Sequence, residues 1–425
     1  MSQAPQVSPQ IYRLMYVGRS SLQIERDYGK RLSRLIREGF EVHVLAGDDG
    51  GFADLDARGV VCKPIPVERK LNVAGLLGAY FIVQAYFIEE KPVLVHAFDD
   101  VLAWVGAFAA HRAHVDAVFA TVHRHAFVED PVRLEIDTFL PVPPKFFEGV
   151  EAFLNNIVDA PVRNGLYRAY AYLGEIVDKY FVINEHDFGA LQDLELVPPD
   201  KLEMIIGGDG VDLDRFPVDD DDFPTISEAR RELGLPEHWR HVFGYVGPFS
   251  LPRGATDLLA CIEQVAQTHP AAGWLVNIDG GVSDVLLRRL ERLEEKGRVV
   301  IRRRMDDLAM VYRALDAFVM PSYREGAPTH LMEAAACGVG AITYNLPATQ
   351  SAVEHGQTGE LIPLGEVDVL VDSLRRALDD PTRLENYGLR SRTRAVRRFN
   401  RQHVEDQVFR MYDTVLEVKL HGAGL

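Results

Sequence analysis

The sequence predicts an α/β protein with two domains, each built on a parallel, doubly wound sheet. Three observations support this prediction. The chain has 425 residues, which exceeds the size at which a single hydrophobic core usually stops growing. Short apolar runs alternate with helical stretches in both halves of the chain, as in a βαβα succession. An acidic run bounded by prolines, at 217–224, separates the two halves.

The first half shows this alternation from its start. Predicted strands are 11–17, 41–46, 60–65, 92–96, 117–122 and 180–184. Predicted helices are one that runs to Ile36 and ends at Gly39, then 73–88, 101–111 and 165–178. Sheets of this kind bind ligands beyond the carboxyl ends of their strands, so polar residues that follow those ends are the first candidates for a site.

Residues 128–165 interrupt the alternation. The stretch FLPVPPKFFEGVEAFLNNIV carries prolines and clustered phenylalanines without the alternation of a strand. Two interpretations stay open. The segment is either a loop and short helix packed on its own domain, or a surface element that contacts an acceptor, the inner membrane face or a protein partner.

We place the domain boundary in the acidic connector, because a run of like charges stays solvated and extended. Asp219–Asp222 lie between Pro217 and Pro224. The predicted units are a first domain at 1–217, a linker at 218–227, a second domain at 228–399 and a terminal segment at 400–425 that packs back on the first domain. Strands of the second domain are predicted at 242–246, 274–278, 298–302, 316–320 and 340–344.

Composition and charge argue against several classes of function. The net charge of −17 disfavours nucleic-acid binding, which needs a basic surface. The three cysteines are widely spaced and form no CxxC pair, which indicates neither a disulfide framework nor a metal cage. The first residues lack the pattern of a signal peptide, and 73–88 is too short and too amphipathic for a membrane span. We therefore expect a cytoplasmic protein.

The segment PSYREGAPTHLMEAAACGVGAITY, residues 321–344, is the most informative part of the chain. A predicted strand ends before it, a polar loop follows, and a helix is expected from Thr329 to Cys337. Glu325 lies in the loop and Glu333 in the helix. Backbone N–H groups at 326–330 would lie at the helix N-terminus, which favours an anion such as a phosphate. Carboxylates can accept hydrogen bonds from sugar hydroxyls.

The string EGAP…LMEAAACG resembles the E-x7-E signature of the family 4 glycosyltransferases, with Glu325 and Glu333 as its two acids. Further segments resemble family landmarks in the expected order: IPVERK (65–70), VLVHAFDD (93–100), TVHRHAF (121–127), IIGGDGVDLDRF (205–216), FGYVGPFSLPRG (243–254), VNIDGG (276–281) and EHGQTGELIP (354–363). The likeness covers nearly the whole chain apart from 128–165.

This resemblance implies the GT-B fold, in which two Rossmann-like domains face each other across a cleft. It implies retaining transfer of a sugar from a nucleoside-diphosphate sugar, with UDP or GDP as the nucleotide, to a glycan, lipid-linked or small-molecule acceptor. It also implies no obligatory cofactor and no metal, and a role in polysaccharide or glycoconjugate assembly. No nucleic acid is expected as a partner.

Carried over by position, Glu325 would contact the hydroxyls of the donor sugar, Glu333 the ribose and Arg253 the diphosphate. His123 would face the anomeric carbon, although a hydrogen-bonded histidine at the end of a buried strand is the alternative. The remaining donor-binding candidates are Gly247, Gly326, Ala327, Pro328, Thr329, His330 and Arg303. The acceptor-side candidates are Gly18, Arg19, Ser20, His96, Asp99 and His125.

Some positions depart from the family pattern. Pro248 stands where the family usually has an arginine, so a bound diphosphate would lose one cationic partner. Arg302–Arg304 replace a small residue beside the nucleotide base, and they either compensate for that loss or form a solvated strand end. These departures leave open a degenerate relative that binds a partner or sugar nucleotide without transfer, and a different GT-B enzyme such as a sugar-nucleotide epimerase.

Overall fold

The computed structural model describes residues 12–67, 73–122, 159–205, 208, 210–218, 223–305 and 307–421. The chain divides into two compact units. Met1–Ile205 and Glu405–Leu425 form the first unit, and Ile206–Val404 form the second.

The first unit contains a parallel sheet of seven strands. The strands are β1 (Arg13–Ser20), β2 (Glu41–Gly47), β3 (Val61–Pro64), β4 (Leu94–Phe98), β5 (Ala117–Val122), β6 (Lys179–Val182) and β7 (Leu202–Met204). Their order across the sheet is β3-β2-β1-β4-β5-β6-β7. The helices between them are α1 (Ser21–Arg37), α2 (Phe52–Ala57), α3 (Val73–Glu90), α4 (Asp100–Arg112), α5 (Asp159–Ile176) and α6 (Glu185–Asp193). The predicted strands of this half are therefore confirmed, with shifts of a few residues at their ends.

The second unit contains a parallel sheet of six strands. They are β8 (His241–Gly247), β9 (Ala272–Ile278), β10 (Val299–Arg303), β11 (Ala317–Met320), β12 (Gly340–Tyr344) and β13 (Gly359–Ile362), in the order β10-β9-β8-β11-β12-β13. The helices are α7 (Ile226–Glu232), α8 (Ala255–Thr268), α9 (Asp284–Glu295), α10 (Leu308–Arg313), α11 (Thr329–Ala336), α12 (Pro347–Ala352), α13 (Val367–Asp379), α14 (Pro381–Arg394) and α15 (Arg401–Leu416). Only the first residues of α15 belong to this unit. The predicted doubly wound α/β class holds for both sheets.

Three details differ from the sequence-based expectation. The short strands β7 and β13, each at one edge of its sheet, were not predicted. Helix α5 begins at Asp159, inside the stretch 128–165, whereas the prediction began it at residue 165. The first turn of a helix tolerates a proline, so Pro161 does not prevent the earlier start. The rest of that stretch, 128–158, lies outside the described residues, and both interpretations of it stay predictions.

The segment before the acidic connector belongs to the second unit, which starts ahead of the boundary predicted after residue 217. Val211 forms an isolated parallel bridge with Asn400. Phe216 is buried, and its ring centroid lies 6.1 Å from that of Tyr312. These contacts with distant parts of the second unit explain the earlier start. The four aspartates of the connector lie outside the described residues.

Both sheets have a point where the strand order reverses. In the first sheet the reversal lies between β1 and β4, and in the second between β8 and β11. At such a point, the chain leaves the two neighbouring strands in opposite directions, which opens a crevice at their carboxyl ends. Ligands of doubly wound sheets bind in this crevice. Each unit thus offers one favoured position for a site.

No described helix combines the length and apolar character that a bilayer span requires.

Candidate functional site

The carboxyl end of β8 is a tight turn packed against the turn that follows β9. Gly247 has φ +139°, in a region that favours glycine. The Asp279 N–H donates to the Gly247 carbonyl over 3.1 Å. A Cβ built on Gly280 would lie 3.2 Å from Cγ of Pro248, so this backbone approach leaves little room for a side chain. The turn at 247–248 is therefore held firmly at the point where the strand order reverses.

The loop after this turn leads to Arg253 and is packed directly on the end of β11. Gly254 has φ +72°, and a Cβ built on it would lie only 1.8 Å from the Pro321 carbonyl oxygen. The Tyr323 N–H also donates to the Pro252 carbonyl over 3.0 Å. Because only glycine permits this approach, residue 254 fixes the Arg253 loop against the loop that carries Glu325.

Arg253 and Glu325 form an ion pair at this position. Nη1 of Arg253 donates to Oε1 of Glu325 and, over 3.4 Å, to the Arg324 carbonyl. The Glu325 side chain is 5% exposed and that of Arg253 is 36% exposed. A carboxylate this buried needs a cationic or hydrogen-bonding partner, which Arg253 supplies. Two of the three predicted catalytic residues are thus adjacent.

Glu333 has its own set of partners. Its Oε2 accepts a hydrogen bond from the Tyr312 hydroxyl over 2.9 Å and lies 3.0 Å from His330 Nδ1. Burial disfavours the charged form, but the hydrogen bond and charge of His330 and the hydrogen bond from Tyr312 outweigh it and hold the pKa of Glu333 below its ordinary value. Burial, and next the nearby charge of Glu333, raise the pKa of Tyr312 well above its ordinary value.

The start of α11 adds backbone donors to these side chains. The helix begins at Thr329 with Pro328 before it, and no side chain caps it. The Thr329 N–H donates to the Ala327 carbonyl over 2.9 Å, which closes the turn formed with Gly326. The positive end of the helix dipole favours an anion here. The predicted donor-binding residues at 326–330 therefore form one continuous turn that ends in the helix.

Two buried polar atoms near the same sheet edge have no hydrogen-bond partner among the described residues: Nδ2 of Asn277 and Oγ of Ser322. Asn277 is the penultimate residue of β9, and Ser322 follows β11 closely. Buried groups of this kind are rare and call for an explanation such as a ligand or water. Both residues lie inside segments with family resemblance, VNIDGG and PSYREGAP, but neither is among the predicted site residues.

A further contact that the sequence did not suggest stabilises the Glu325 loop. Asp257, on the first turn of α8, accepts hydrogen bonds from the hydroxyls of Tyr323 over 2.7 Å and Tyr344 over 2.6 Å. Burial and the bond to Asp257 raise the pKa of Tyr344. Helix α8 begins two residues after Arg253. Asp257 therefore connects the loop that carries Glu325 to the helix that follows Arg253.

The structure does not bring Arg303 to this cluster. Its side chain is 55% exposed and lies 4.0 Å from Glu291. It ends β10, which β9 and β8 separate from β11. Arg302 instead donates to the Leu233 carbonyl. These contacts favour the solvated strand end over compensation for the arginine that Pro248 replaces.

In the first unit, a hydrogen bond between two of the predicted acceptor-side residues connects the end of β1 with the residue that follows β4. The Arg19 N–H donates to Asp99 Oδ2 over 3.1 Å, and Asp99 adopts φ +75°, an uncommon conformation for a residue other than glycine. Ser20 caps α1 by accepting from the Gln23 N–H over 3.0 Å. Its hydroxyl donates to Asp49 over 2.5 Å, a partner that the sequence did not suggest. Gly18 precedes this turn within β1.

His96 is not available to an acceptor. It is fully buried, and its ring stacks on Phe98 with centroids 4.1 Å apart. Its Nε2 lies 2.7 Å from the Thr121 hydroxyl, and its Nδ1 is hydrogen-bonded to the Tyr412 hydroxyl. His96 is therefore a core residue, and its assignment to the acceptor side is wrong. The other two candidate histidines, His123 and His125, lie outside the described residues.

No group of three or more His, Cys, Asp or Glu side chains in the described part of the chain is arranged to hold a metal ion.

Two family models match this sequence. "Glycosyltransferase Family 4" matches residues 31–215, and "Glycosyl transferases group 1" matches residues 240–380. Two doubly wound units with these matches have the GT-B fold. Residues 31–215 are therefore similar to the family 4 glycosyltransferases, and residues 240–380 to the group 1 glycosyltransferases.

Individual relatives agree with this assignment. D-inositol 3-phosphate glycosyltransferase of Corynebacterium jeikeium is 33% identical over 41% of this chain and 43% of its own length. The capsular polysaccharide biosynthesis glycosyltransferase CapM of Staphylococcus aureus is 22% identical over 90% of this chain and 92% of its own. The chain spans about half the length of the first curated relatives it matches. HepE of Anabaena, solved in complex with UDP and glucose, has the same fold, with a TM-score of 0.69 and 16% identity over 95% of this chain and 100% of its own.

The environment of Glu333 predicts an acid-dependent loss of stability. Because its pKa is lower in the folded chain than in the unfolded chain, Glu333 adds stability that is fully present above the ordinary glutamate pKa of about 4.3. That stability is lost as pH falls through the lowered folded value. Urea unfolding between about pH 3 and 6 should therefore show a shallower acid decline for Glu333→Gln than for the wild type. Equal slopes for the two proteins would contradict the lowered pKa of Glu333.

Proposed function

We propose that this protein is a retaining glycosyltransferase that moves a sugar from a nucleoside-diphosphate sugar to a hydroxyl group of a glycan, lipid-linked or small-molecule acceptor. The observation that carries the proposal is the ion pair between Arg253 and the buried Glu325 beside the uncapped start of α11, where the second sheet reverses its strand order. A cation and helix amides suit a diphosphate, and a carboxylate beside them suits sugar hydroxyls.

Each group has a distinct part in the proposed reaction. Arg253 and the amides of Gly326, Ala327 and His330 hold the diphosphate. Glu325 accepts from the sugar hydroxyls, and Glu333 faces the ribose. The bond from the anomeric carbon to the diphosphate oxygen breaks as the acceptor oxygen bonds to that carbon on the same face. The acceptor proton passes to the departing diphosphate, whose growing charge the cation and amides stabilise.

The acceptor is assigned to the first unit. The turn at 18–20 and Asp99 lie at the carboxyl ends of β1 and β4, where that sheet reverses its order. By resemblance alone, we also assign His123 and His125 to the acceptor side; both lie outside the described residues. UDP is the first nucleotide to test, since HepE was solved with it, and the name of CapM supports a role in polysaccharide assembly.

A panel of UDP-, GDP- and ADP-sugars tests the proposal. We expect one of these sugars to raise the melting temperature of the protein and to yield free nucleoside diphosphate when a suitable acceptor, or water acting slowly in its place, is present. Nucleotide release is measured enzymatically, and Glu325→Gln serves as the catalytically impaired control. A thermal shift without release under any acceptor condition would indicate a non-catalytic, nucleotide-sugar-binding protein. Neither shift nor release would refute the proposal.

A further inference from the structure

The imidazole of His330 lies between a buried carboxylate and the turn at the end of β8. Its Nδ1 is 3.0 Å from Glu333 Oε2 and 3.1 Å from the Tyr312 hydroxyl oxygen. On its other edge, a Cβ built on Gly247 would lie 3.8 Å from Cδ2 and 3.9 Å from Nε2 of the ring. The side chain is 26% exposed. The Nε2 edge thus lies close to the turn at Gly247, and about a quarter of the side chain is exposed to solvent.

The hydrogen bonds around His330 determine which of its two ring nitrogens carries a proton. An ionised Glu333 can only accept, and Tyr312 uses its single proton to donate to Glu333 over 2.9 Å. Nδ1 of His330 must therefore carry a proton that it shares between Glu333 and the Tyr312 oxygen. Nε2 is left for whatever binds beside Gly247, and it donates only when the ring is doubly protonated.

We propose that His330 is a donor-binding residue whose doubly protonated ring gives an Nε2–H hydrogen bond to the diphosphate of a nucleoside-diphosphate sugar beside Gly247. The inference rests on the proposed function and adds a side-chain role to a residue otherwise assigned for its backbone. Arg253 is already paired with Glu325, and Arg303 lies beside Glu291, so a diphosphate gains from a further positive group.

The other titratable groups around the ring do not change charge near neutral pH. Glu333 on α11 stays ionised because its pKa is lowered. Burial raises the pKa values of Tyr312 on α10 and Tyr245 on β8. Tyr245 also donates to the Pro248 carbonyl over 2.8 Å and so holds the turn that His330 faces. Arg215 lies near the start of the second unit. Its positive charge acts to lower the pKa values of Glu333 and Tyr312, and an arginine stays charged at these pH values.

Calorimetric titration of UDP-glucose, or of the sugar nucleotide that binds in the panel, tests the inference at about pH 6 and about pH 8, on either side of the ordinary histidine pKa. A sugar nucleotide is used because its diphosphate does not titrate in this range. Wild-type affinity should be several-fold higher at the lower pH. His330→Gln should weaken binding about 10- to 100-fold at pH 6, as expected for one charge-assisted hydrogen bond, and should abolish the pH dependence.

Binding of the matching free nucleoside should be the same for the wild type and His330→Gln, since the nucleoside lacks the diphosphate. The matched control His238→Gln, an exposed histidine of the second unit, should bind the sugar nucleotide as the wild type does. If the wild type binds and His330→Gln binds equally well at both pH values, the role of His330 is refuted while the proposed function stands. If the wild type binds no sugar nucleotide, the proposed function itself fails.

A measurement on the wild type covers the case in which His330→Gln does not fold. The Cε1–Hε1 resonance of His330 in protein with isotope-labelled histidine, assigned with His330→Asn or by sequential connectivity, should move to the imidazolium position when the sugar nucleotide is added near pH 7.5. A resonance that binding leaves at the neutral position would overturn the inference.

Discussion

Glu325→Gln should lower turnover by about 100- to 1,000-fold, the usual cost of removing one preorganised group that acts on the transition state. The amide keeps the shape of the side chain but removes the negative charge that pairs with Arg253. Arg253 is then no longer held in position, and the sugar hydroxyls lose their charged acceptor. Steady-state nucleotide release, with the donor that the panel identifies, measures the change in kcat and KM.

The matched control for this prediction is Glu237→Gln, which removes a carboxylate from an exposed position of the same unit and should leave turnover unchanged. Circular dichroism should show that both variants are folded, because the substituted amide occupies nearly the same volume. Turnover of Glu325→Gln at the wild-type rate would refute the assigned role of this residue.

Gly254→Ala should be the most destabilising single-methyl change near the site. The added Cβ would lie 1.8 Å from the Pro321 carbonyl oxygen, and the backbone at 254 adopts φ +72°. Both the clash with backbone and the unfavourable conformation oppose folding, so we expect the free energy of unfolding to fall by about 2–4 kcal/mol. The Arg253 loop would also move away from Glu325, so the remaining folded protein should lose activity as well.

Gly281→Ala is the control for this variant, because no atom lies within 4 Å of the added Cβ and its backbone is not left-handed. Urea unfolding followed by tryptophan fluorescence suits the comparison, since Trp239 and Trp274 are both buried in the second unit. Equal stability of the two alanine variants would show that the close approach at 254 is not required.

The sequence was sufficient to predict eleven of the thirteen described strands, because buried parallel strands are continuous apolar runs with polar or glycine-rich ends. It did not predict β7 and β13, which are short strands at the edges of the two sheets. The family resemblance assigned Arg253 and Glu325 to one donor site, but nothing in the sequence predicted that the two side chains form an ion pair. The sequence also did not predict the partners of Glu333 and Tyr323, because Tyr312 and Asp257 reach them from helices distant in the chain. Contacts of that kind leave no local pattern.

The misassignment of His96 has a different origin. A histidine near the end of a strand can point to either face of the sheet, and the sequence does not say which face a later helix covers. Here Tyr412 of the terminal helix bonds to His96, more than 300 residues further along the chain. Likewise, the start of the second unit ahead of residue 217 follows from the bridge between Val211 and Asn400. In both cases a residue near the end of the chain, Tyr412 or Asn400, contacts a residue far earlier in the sequence.

Hydrogen–deuterium exchange with and without a saturating nucleoside-diphosphate sugar tests the central claim most directly. If the turn at 326–330 and the start of α11 hold the diphosphate, peptides covering 321–333 and 247–255 should exchange more slowly in the presence of the ligand. Peptides covering α9, which packs on the edge strand β10, should be unaffected. Binding confirmed by calorimetry with unchanged exchange at 321–333 would contradict the account.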